Sequence, residues 1–471
     1  MNASHVPGLA LSGLIVAAHL AASAGELRLG TAAVNITPPL GTPLAGYYHE
    51  RPCDGVLDEL FAKAAVFDDG NTKAALVVCD LVTLPRSIVL EARRRIAERT
   101  DLPGSNVMIA ATHTHTGPVL IRDSTLDAVT GANSPRARQY NAELPERIAQ
   151  AVADASARRA PARVSFARET EARIAFNRRY WMKDGSVGWN PGKRNPDILR
   201  PAGPIDPEVG VVYFESPDGR PVLTFVNYAL HPDTTGGTRA SADFPGALAR
   251  RLAEIKGPDM LTIFANGASG DVNHLDVRWA ARQSGPEEAN RIGTILAAAV
   301  LSAYTRLQPV SDTTLRVHSE MLRLALPEIS DAALERARAV AKLGPQAKFL
   351  ERVDAYKVLD VAAREGKPWD VEVQVITLGA DLAWVSMPGE LFVEPGLNLK
   401  AASPFRQTHI VELANGSIGY IPKRSAYAEG NYEVLAARCA AGSAEELVAA
   451  ALRLLERSAR AQPQRPAPGA D

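Results

Sequence analysis

The feature that most constrains the fold of this 471-residue chain is a unit that recurs along it. In each copy a short apolar stretch, rich in β-branched residues, stops at a polar or glycine-rich break, and helical patterns lie between several copies. The stretches are 74–79, 106–111, 222–229, 260–265, 382–387 and 409–413. Strands of this kind, mixed with amphipathic helices, predict an α/β or α+β fold in which helices cover mixed β-sheets.

Helical periodicity predicts helices over 86–99, 244–255, 287–307, 331–342 and 443–460. The last opens with Ser443 and carries Glu446 three residues later, a spacing typical of a capping box. The segment 177–207 is rich in Gly, Pro, Asn and Trp without periodicity, which predicts a long loop, and long loops are often functional.

The domain organisation follows from the lack of an internal repeat or a strong linker. We therefore predict one large domain over residues 25–462 and a disordered, proline-rich tail over 463–471. Three cysteines are too few for a disulfide scaffold. We expect Cys79 to be a buried small side chain, and a disulfide pair among Cys53, Cys79 and Cys439 stays open.

The charge balance and the N-terminal segment limit the class of protein that this chain can belong to. The 52 basic residues nearly cancel the 53 acidic ones, so the chain has no electrostatic footprint for nucleic acid or an anionic membrane. Residues 8–22 are apolar, and Ala22-Ser23-Ala24 matches an A-x-A cleavage pattern. Together they predict a cleaved signal peptide over 1–24 and a secreted or periplasmic protein. No Lys or Arg precedes this stretch, so an apolar first helix or an anchor stays open. No later segment reaches membrane-spanning length without charges.

Polar residues concentrate where the apolar strands stop, the place where ligands bind in open α/β sheets. His113 and His115 follow the strand at 106–111, and residues two apart on an extended backbone face the same side. Neutral imidazole is a preferred zinc ligand. The spacing indicates a metal site, with a hydrogen-bonded histidine pair as the alternative.

Two further strand ends complete a three-ligand set. His231 follows the strand at 222–229 and precedes Pro232, which favours an extended approach. Glu390 is placed at a strand end by the Pro388-Gly389 turn. Two histidines and one carboxylate from different strand ends are typical of catalytic zinc, with a fourth position left for water or substrate.

The segment 266–273 is a turn of small residues after a strand. It permits close approach of a substrate to backbone donors, as an oxyanion hole requires, and it equally fits a plain tight turn. The chain has no G-x-S-x-G elbow, no Walker phosphate loop and no H-E-x-x-H motif. Serine-hydrolase, nucleotide-binding and thermolysin-like sites therefore lack their usual support.

These motifs together make the chain resemble the neutral/alkaline, non-lysosomal ceramidase family of zinc amidases, which cleave ceramide into sphingosine and fatty acid. The matching stretches are ordered and spread over nearly the whole predicted domain: 30–47 (GTAAVNITPPLGTPLAGY), 111–118 (ATHTHTGP), 177–178, 227–235 (NYALHPDTT), 242–245 (ADFP), 266–273 (NGASGDVN), 388–390 and 420–432.

The resemblance implies roles for individual residues. The zinc ligands would be His113, His231, Glu390 and Tyr420, and His115 would sit beside the metal to assist the oxyanion or a proton transfer. The residues lining the reaction centre would be Arg178, Asp271 and Tyr432.

One departure from the family lies at Asn273, which stands where the family's G-D-x-S-P-N turn has a serine proposed as the nucleophile. Asparagine cannot act as that nucleophile, so the expected nucleophile is a zinc-bound water with a pKa of about 7. Asn273 would then donate a hydrogen bond to the oxyanion. The resemblance extends over the catalytic domain only.

The expected function is therefore zinc-dependent hydrolysis of the amide bond of an N-acyl lipid such as ceramide. One alternative is a metallohydrolase for another amide, an ester or a phosphoester, in which His113 and His115 both bind metal. Another is a non-catalytic lipid- or glycan-binding protein that lost activity with its serine.

Overall fold

The structure is a computed structural model that describes residues 26–461. The predicted signal peptide over 1–24 and the predicted tail over 463–471 lie outside the described residues. Within the described range the chain forms 23 strands and 11 α-helices, so the predicted mixed α/β fold is confirmed. No helix in this range is long and apolar enough to cross a membrane.

The strands of the first half of the chain are β1 (Arg28–Asn35), β2 (Gly55–Val56), β3 (Phe61–Asp68), β4 (Lys73–Cys79), β5 (Val107–Ala111), β6 (Ala160–Pro161), β7 (Arg163–Thr170), β8 (Phe176–Asn177), β9 (Arg179–Met182), β10 (Val187–Trp189), β11 (Ile198–Pro201) and β12 (Glu208–Glu215). Those of the second half are β13 (Pro221–Tyr228), β14 (Arg239–Ala240), β15 (Leu261–Asn266), β16 (Val272–Asn273), β17 (Gln308–Pro309), β18 (Leu315–Leu324), β19 (Trp369–Leu378), β20 (Leu382–Ser386), β21 (Glu390–Leu391), β22 (Gln407–Val411) and β23 (Tyr420–Ile421). The helices are α1 (Arg86–Arg99), α2 (Thr125–Val129), α3 (Pro135–Ala157), α4 (Asp243–Lys256), α5 (Pro286–Tyr304), α6 (Asp331–Leu343), α7 (Phe349–Ala362), α8 (Val393–Ala402), α9 (Ala426–Glu429), α10 (Tyr432–Ala436) and α11 (Ser443–Arg460).

Three sheets share one plan. Their strand orders are β5-β4-β3-β1-β6, β15-β13-β12-β7-β17 and β18-β19-β20-β22. Each has one parallel pair at an edge, β4/β5, β13/β15 and β20/β22, and its other pairs are antiparallel. A helix connects the two strands of each parallel pair, namely α1, α4 and α8, because parallel neighbours need a crossover connection.

The sheets pack against one another around a shared apolar core. This core contains Val78 of the first sheet, Phe225 of the second and Trp384 of the third. The outer faces are covered by α1 and α3, by α4 and α5, and by α8 and α11 respectively. Burial on both faces keeps water from the parallel strands, and it is the main source of their stability.

The parallel edges of the three sheets meet at their carboxyl ends. The amide of Asn415, just beyond β22, donates to Ile109 O of β5 at 2.8 Å. The amide of Glu412 donates to Asn266 O of β15 at 3.0 Å, and Asn227 Nδ2 of β13 donates to Ile410 O at 2.8 Å. The polar residues that follow these strands are thereby brought into one region.

All six strands singled out from the sequence are found, as β4, β5, β13, β15, β20 and β22, and so are the five predicted helices. Two long helices, α3 and α7, were missed. The predicted loop at 177–207 is wrong in part, because β9, β10 and β11 form a small sheet there.

The predicted capping box at Ser443 is also wrong. The helix is capped by Gly442, whose φ of 103° places it outside the helical region, and no side chain caps the helix. Ser443 instead donates its hydroxyl to Ala440 O at 2.8 Å. Cys53, Cys79 and Cys439 are all buried and unpaired, as expected for Cys79.

Candidate metal centre

Three histidine side chains converge beyond the ends of β5 and β13. Nε2 of His113 lies 3.0 Å from Nε2 of His231 and 3.3 Å from Nε2 of His115. One ring nitrogen from each of the three lies within 4.8 Å of the others, so the group can hold a metal ion. His113 and His231 are almost fully buried.

The other ring nitrogen of two of these histidines faces a carbonyl oxygen. Nδ1 of His113 lies 2.6 Å from Val82 O, and Nδ1 of His231 lies 3.0 Å from Ser269 O. A carbonyl only accepts, so we assign the proton to Nδ1 and the lone pair to Nε2 in both rings. Burial, with the charge of Arg178 and the neighbouring His113, lowers the pKa of His231 to about 3, so this ring is neutral at neutral pH.

Glu390 completes the group with an unsatisfied oxygen. Its Oε2 lies 3.4 Å from Nε2 of His113 and 3.2 Å from Nε2 of His231, and it makes no hydrogen bond among residues 26–461. Burial opposes ionisation of Glu390, but His113 and His231 outweigh it and hold its pKa well below its usual range. Zinc ligands at bonds of about 2.0–2.2 Å in a tetrahedron lie about 3.4 Å apart, so these residues fit a zinc ion.

A short pair of parallel strands places Tyr420 beside the same group. Glu390 of β21 and Tyr420 of β23 are partners in a parallel pair. The Tyr420 hydroxyl lies 3.5 Å from Nε2 of His231, and the two rings are parallel with centroids 6.4 Å apart. The structure thus brings His113, His231, Glu390 and Tyr420 together.

His115 lies at the open side of the group. Its Nδ1 is 3.3 Å from Asp233 Oδ1, and Tyr47 meets its ring edge-on while donating to the same Asp233 oxygen at 3.2 Å. Burial, and then the neighbouring His113, lower the pKa of His115 well below its usual value. The ring is therefore neutral and beside the group, and the geometry suits either a metal ligand or a proton acceptor.

The backbone carrying these histidines is strained and tightly held. His113 has a φ of 76°, a left-handed conformation that costs a non-glycine residue free energy. Its amide donates to Leu81 O at 2.8 Å, and Arg51 donates to His115 O at 2.7 Å. Backbone strain that surrounding hydrogen bonds hold in place is typical of functional sites.

Arg178 and Tyr432 form a charged and aromatic wall beside Tyr420. Arg178 donates to Glu433 Oε1 at 2.8 Å and to Gly270 O at 2.7 Å, and its guanidinium lies 5.4 Å from the Tyr420 ring centre. Tyr432 meets Tyr420 edge-on at 5.5 Å and stacks on Trp189 at 4.3 Å. Of these residues, Tyr420 and Tyr432 line a small cavity together with His113, His115 and Glu390.

The comparisons with known proteins agree with this geometry. Residues 27–244 match the family model described as neutral/alkaline non-lysosomal ceramidase, N-terminal. The predicted resemblance to the neutral/alkaline ceramidase family is confirmed.

Two solved ceramidase structures share the fold. The neutral ceramidase of Pseudomonas aeruginosa is similar over 95% of this chain and 76% of that chain, with 19% identity and a TM-score of 0.73. A ceramidase complexed with C2 is similar over 95% of this chain and 77% of its own, with 18% identity and a TM-score of 0.73. A search of curated proteins gave no match.

Two residues that the resemblance assigns to the reaction centre are held by other contacts. Asp271 accepts hydrogen bonds from the Val393 amide at 2.8 Å and from Asn177 Nδ2 at 2.9 Å. Burial raises the pKa of Asp271 to about 6. Asn273 donates to Asn190 Oδ1 at 3.1 Å and accepts from the Leu275 amide at 3.1 Å. The structure does not bring these two side chains into contact with the histidines.

Glu412, which holds Ser269 against His231, was not predicted from the sequence. The Ser269 backbone amide and hydroxyl donate to Glu412 at 2.9 and 2.8 Å, and Glu412 is fully buried. Burial raises the pKa of Glu412 well above its usual value. An acidic residue within the apolar stretch 409–413 was the available signal, because a buried carboxyl group needs a partner.

Proposed function

We propose that this chain is a zinc-dependent hydrolase that cleaves the amide bond of an N-acyl substrate, in the manner of a ceramidase. The observation that carries the proposal is the 3.0 Å contact between Nε2 of His113 and Nε2 of His231. The Nδ1 atom of each ring faces a carbonyl oxygen, so Nε2 is the atom that each ring offers to a metal ion. A cation between the two Nε2 atoms, with the unsatisfied Oε2 of Glu390 as a third ligand, would give a three-ligand zinc set.

The proposed ligand set is His113, His231, Glu390 and Tyr420. The carbonyl oxygens of Val82 and Ser269 orient the rings of His113 and His231 before any metal arrives, as is usual around metal-binding histidines. Bound zinc supplies Lewis-acid polarisation of a carbonyl group and lowers the pKa of water.

The side chains around the ligands then handle protons and developing charge. Neutral His115 can accept a proton, and Asp233 at 3.3 Å from its Nδ1 stabilises the resulting imidazolium. Arg178 provides a buried positive charge beside Tyr420, and the Tyr432 hydroxyl is a further donor at the cavity wall. We also propose that Asp271 takes part in proton handling, because burial raises its pKa to about 6.

Asn273 has a different role from the serine of the family. Its Nδ2 group has two N–H donors, and one of them bonds Asn190. The second can stabilise an oxyanion, whereas the amide cannot attack a carbonyl carbon.

The test is release of labelled fatty acid from N-acylsphingosine by the zinc-loaded protein, with and without a chelator. Chelator-sensitive release supports a ceramidase-like amidase that works without the family serine. If protein shown to hold zinc releases nothing, the bond or the substrate is different, and a panel of amides, esters and phosphoesters follows. Binding without turnover of any member would indicate a non-catalytic relative. Full activity without metal would overturn the proposal.

A further inference from the structure

A second cavity adjoins the metal centre. The cavity over the histidines has a volume of about 100 Å³, and the adjoining cleft has a volume of about 500 Å³. Arg122, Gly419 and Arg438 line both of them. A cavity of about 150 Å³ binds benzene, so the inner cavity has room for a small group but not for a whole N-acyl compound. Most of any substrate must therefore lie in the cleft.

The cleft has a cationic lining. Five of its lining side chains are Arg or Lys and three are Asp. Three of these five cations have carboxylate partners: Arg438 with Asp360 at 2.7 Å, Arg86 with Glu372 at 3.2 Å and Lys367 with Glu365 at 3.8 Å. Among residues 26–461, Arg122 and Arg364 form no ion pair. Arg364 donates only to the carbonyl groups of Lys367 and Pro368. An excess of positive charge in a concave site attracts an anion.

Arg122 stands out because no carboxylate contacts its guanidinium directly, although the charges of Asp127 and Asp360 act on it from a distance. Among residues 26–461 its guanidinium makes no hydrogen bond or ion pair. The enclosing walls of the cleft and then the charge of Arg438 lower the pKa of Arg122, although its side chain is exposed to the cleft water. An anion bound at Arg122 would reduce the repulsion that the charge of Arg438 exerts on it.

The backbone at Arg122 is well held. Its amide donates to Asp127 Oδ2 at 3.1 Å, and Asp127 forms a capping box with Ser124 at the start of α2. The Thr125 amide donates to Asp360 Oδ1 at 2.7 Å, and Asp360 also binds Arg438. Asp360 thus holds the Arg438 side chain and the Thr125 amide, three residues beyond Arg122, so both segments are anchored to one carboxylate, as a preorganised binding site requires.

We propose that Arg122 binds a carboxylate of the substrate, so that the chain acts on anionic N-acyl compounds such as N-acyl amino acids. The acyl carbonyl lies at the metal centre, and the carboxylate of the amine portion lies in the cleft at Arg122. This inference rests on the proposed hydrolase function for its catalytic part, but the binding site is independent of turnover.

The test compares N-hexanoylglycine with N-hexanoylethanolamine, in which a neutral hydroxymethyl group replaces the carboxylate. We expect kcat/KM of the zinc-loaded protein to be about tenfold or more higher for the glycine compound, because charge-assisted hydrogen bonds are the strong ones. R122Q should remove this preference by raising KM for the glycine compound alone, and R122K should restore part of it. R251Q, at an exposed arginine of α4, is the control and should change neither.

Binding of the same compounds to chelator-treated protein, measured by calorimetry, separates the two proposals. If protein shown to hold zinc cleaves neither of these compounds nor N-acylsphingosine, but the glycine compound binds more tightly and R122Q abolishes the difference, the proposed function fails and the inference holds. If ceramide is cleaved while the two compounds bind equally, the function holds and the inference is wrong. An equal loss of binding of both compounds in R122Q also overturns it, since that would indicate a structural role.

Discussion

Nδ1 of His231 lies 3.0 Å from the carbonyl oxygen of Ser269, and this contact orients the ring so that Nε2 faces Glu390 at 3.2 Å. Ser269 is held in turn by two hydrogen bonds to the buried Glu412. The orientation of the imidazole is therefore set by the turn after β15 and by the residue that follows β22, before any metal binds.

Replacing single histidines by alanine should test the proposed zinc ligand set. We expect H113A and H231A to lose most bound zinc, because each removes a ligand atom from a site with few alternatives, whereas H115A should keep zinc and lose activity. The measurement is zinc stoichiometry by atomic absorption after dialysis. H318A, in β18 of the third sheet, is the control and should keep zinc. Loss of zinc in H115A would instead favour a site in which His113 and His115 both bind metal.

Gly46 should be essential for the position of His115. A Cβ at Gly46 would lie 2.6 Å from Cβ of His115, and the φ of 101° adds strain. We expect G46A to lower kcat at least about tenfold while the protein stays folded, because a small displacement of a catalytic side chain is costly. Gly70 has a similar φ of 89° with open space around it, so G70A should lose about 1 kcal/mol of stability and no activity. Equal activities of the two variants would contradict the packing argument.

Asp271 should make stability depend on pH. Its folded pKa of about 6 exceeds the ordinary value of 3.8, so between these pH values the folded protein holds a proton that the unfolded chain releases. The free energy of unfolding should therefore fall as pH rises through this window, by about 3 kcal/mol for this group. Urea denaturation of the wild type and D271N at pH 4, 5, 6 and 7 measures the difference. Parallel profiles would show that Asp271 does not titrate in this range.

Glu433 should be a main electrostatic support of the cavity wall. It is fully buried and accepts from Arg178 and Arg179, both at 2.8 Å. E433A leaves two buried guanidinium groups without this partner, and we expect a loss of about 3–5 kcal/mol in the free energy of unfolding. E98A removes an exposed partner of Arg94 on α1 and should change stability by less than about 1 kcal/mol. A loss in E433A as small as that in E98A would contradict the prediction.

The sequence by itself determined the six strands of the parallel pairs. These strands are covered by helices on one face and by neighbouring sheets on the other, so their sequences are continuous apolar runs that can be recognised locally. The residues that follow them, His113, His231 and Glu390, were identified for the same reason. Antiparallel strands such as β7 and β18 expose part of one face, and their weaker pattern was not recognised.

Only the tertiary structure decided how those residues meet. His113 and His231 are 118 positions apart in the chain, and no local periodicity encodes a contact of their Nε2 atoms. That contact depends on the packing of the first sheet against the second, and on the carbonyl groups of Val82 and Ser269 that orient the rings. The same holds for Asn273, which the family resemblance predicts near the reaction centre but whose side-chain amide donates to Asn190. Local patterning sets which segments are buried, whereas side-chain direction and charge compensation arise from contacts between distant segments.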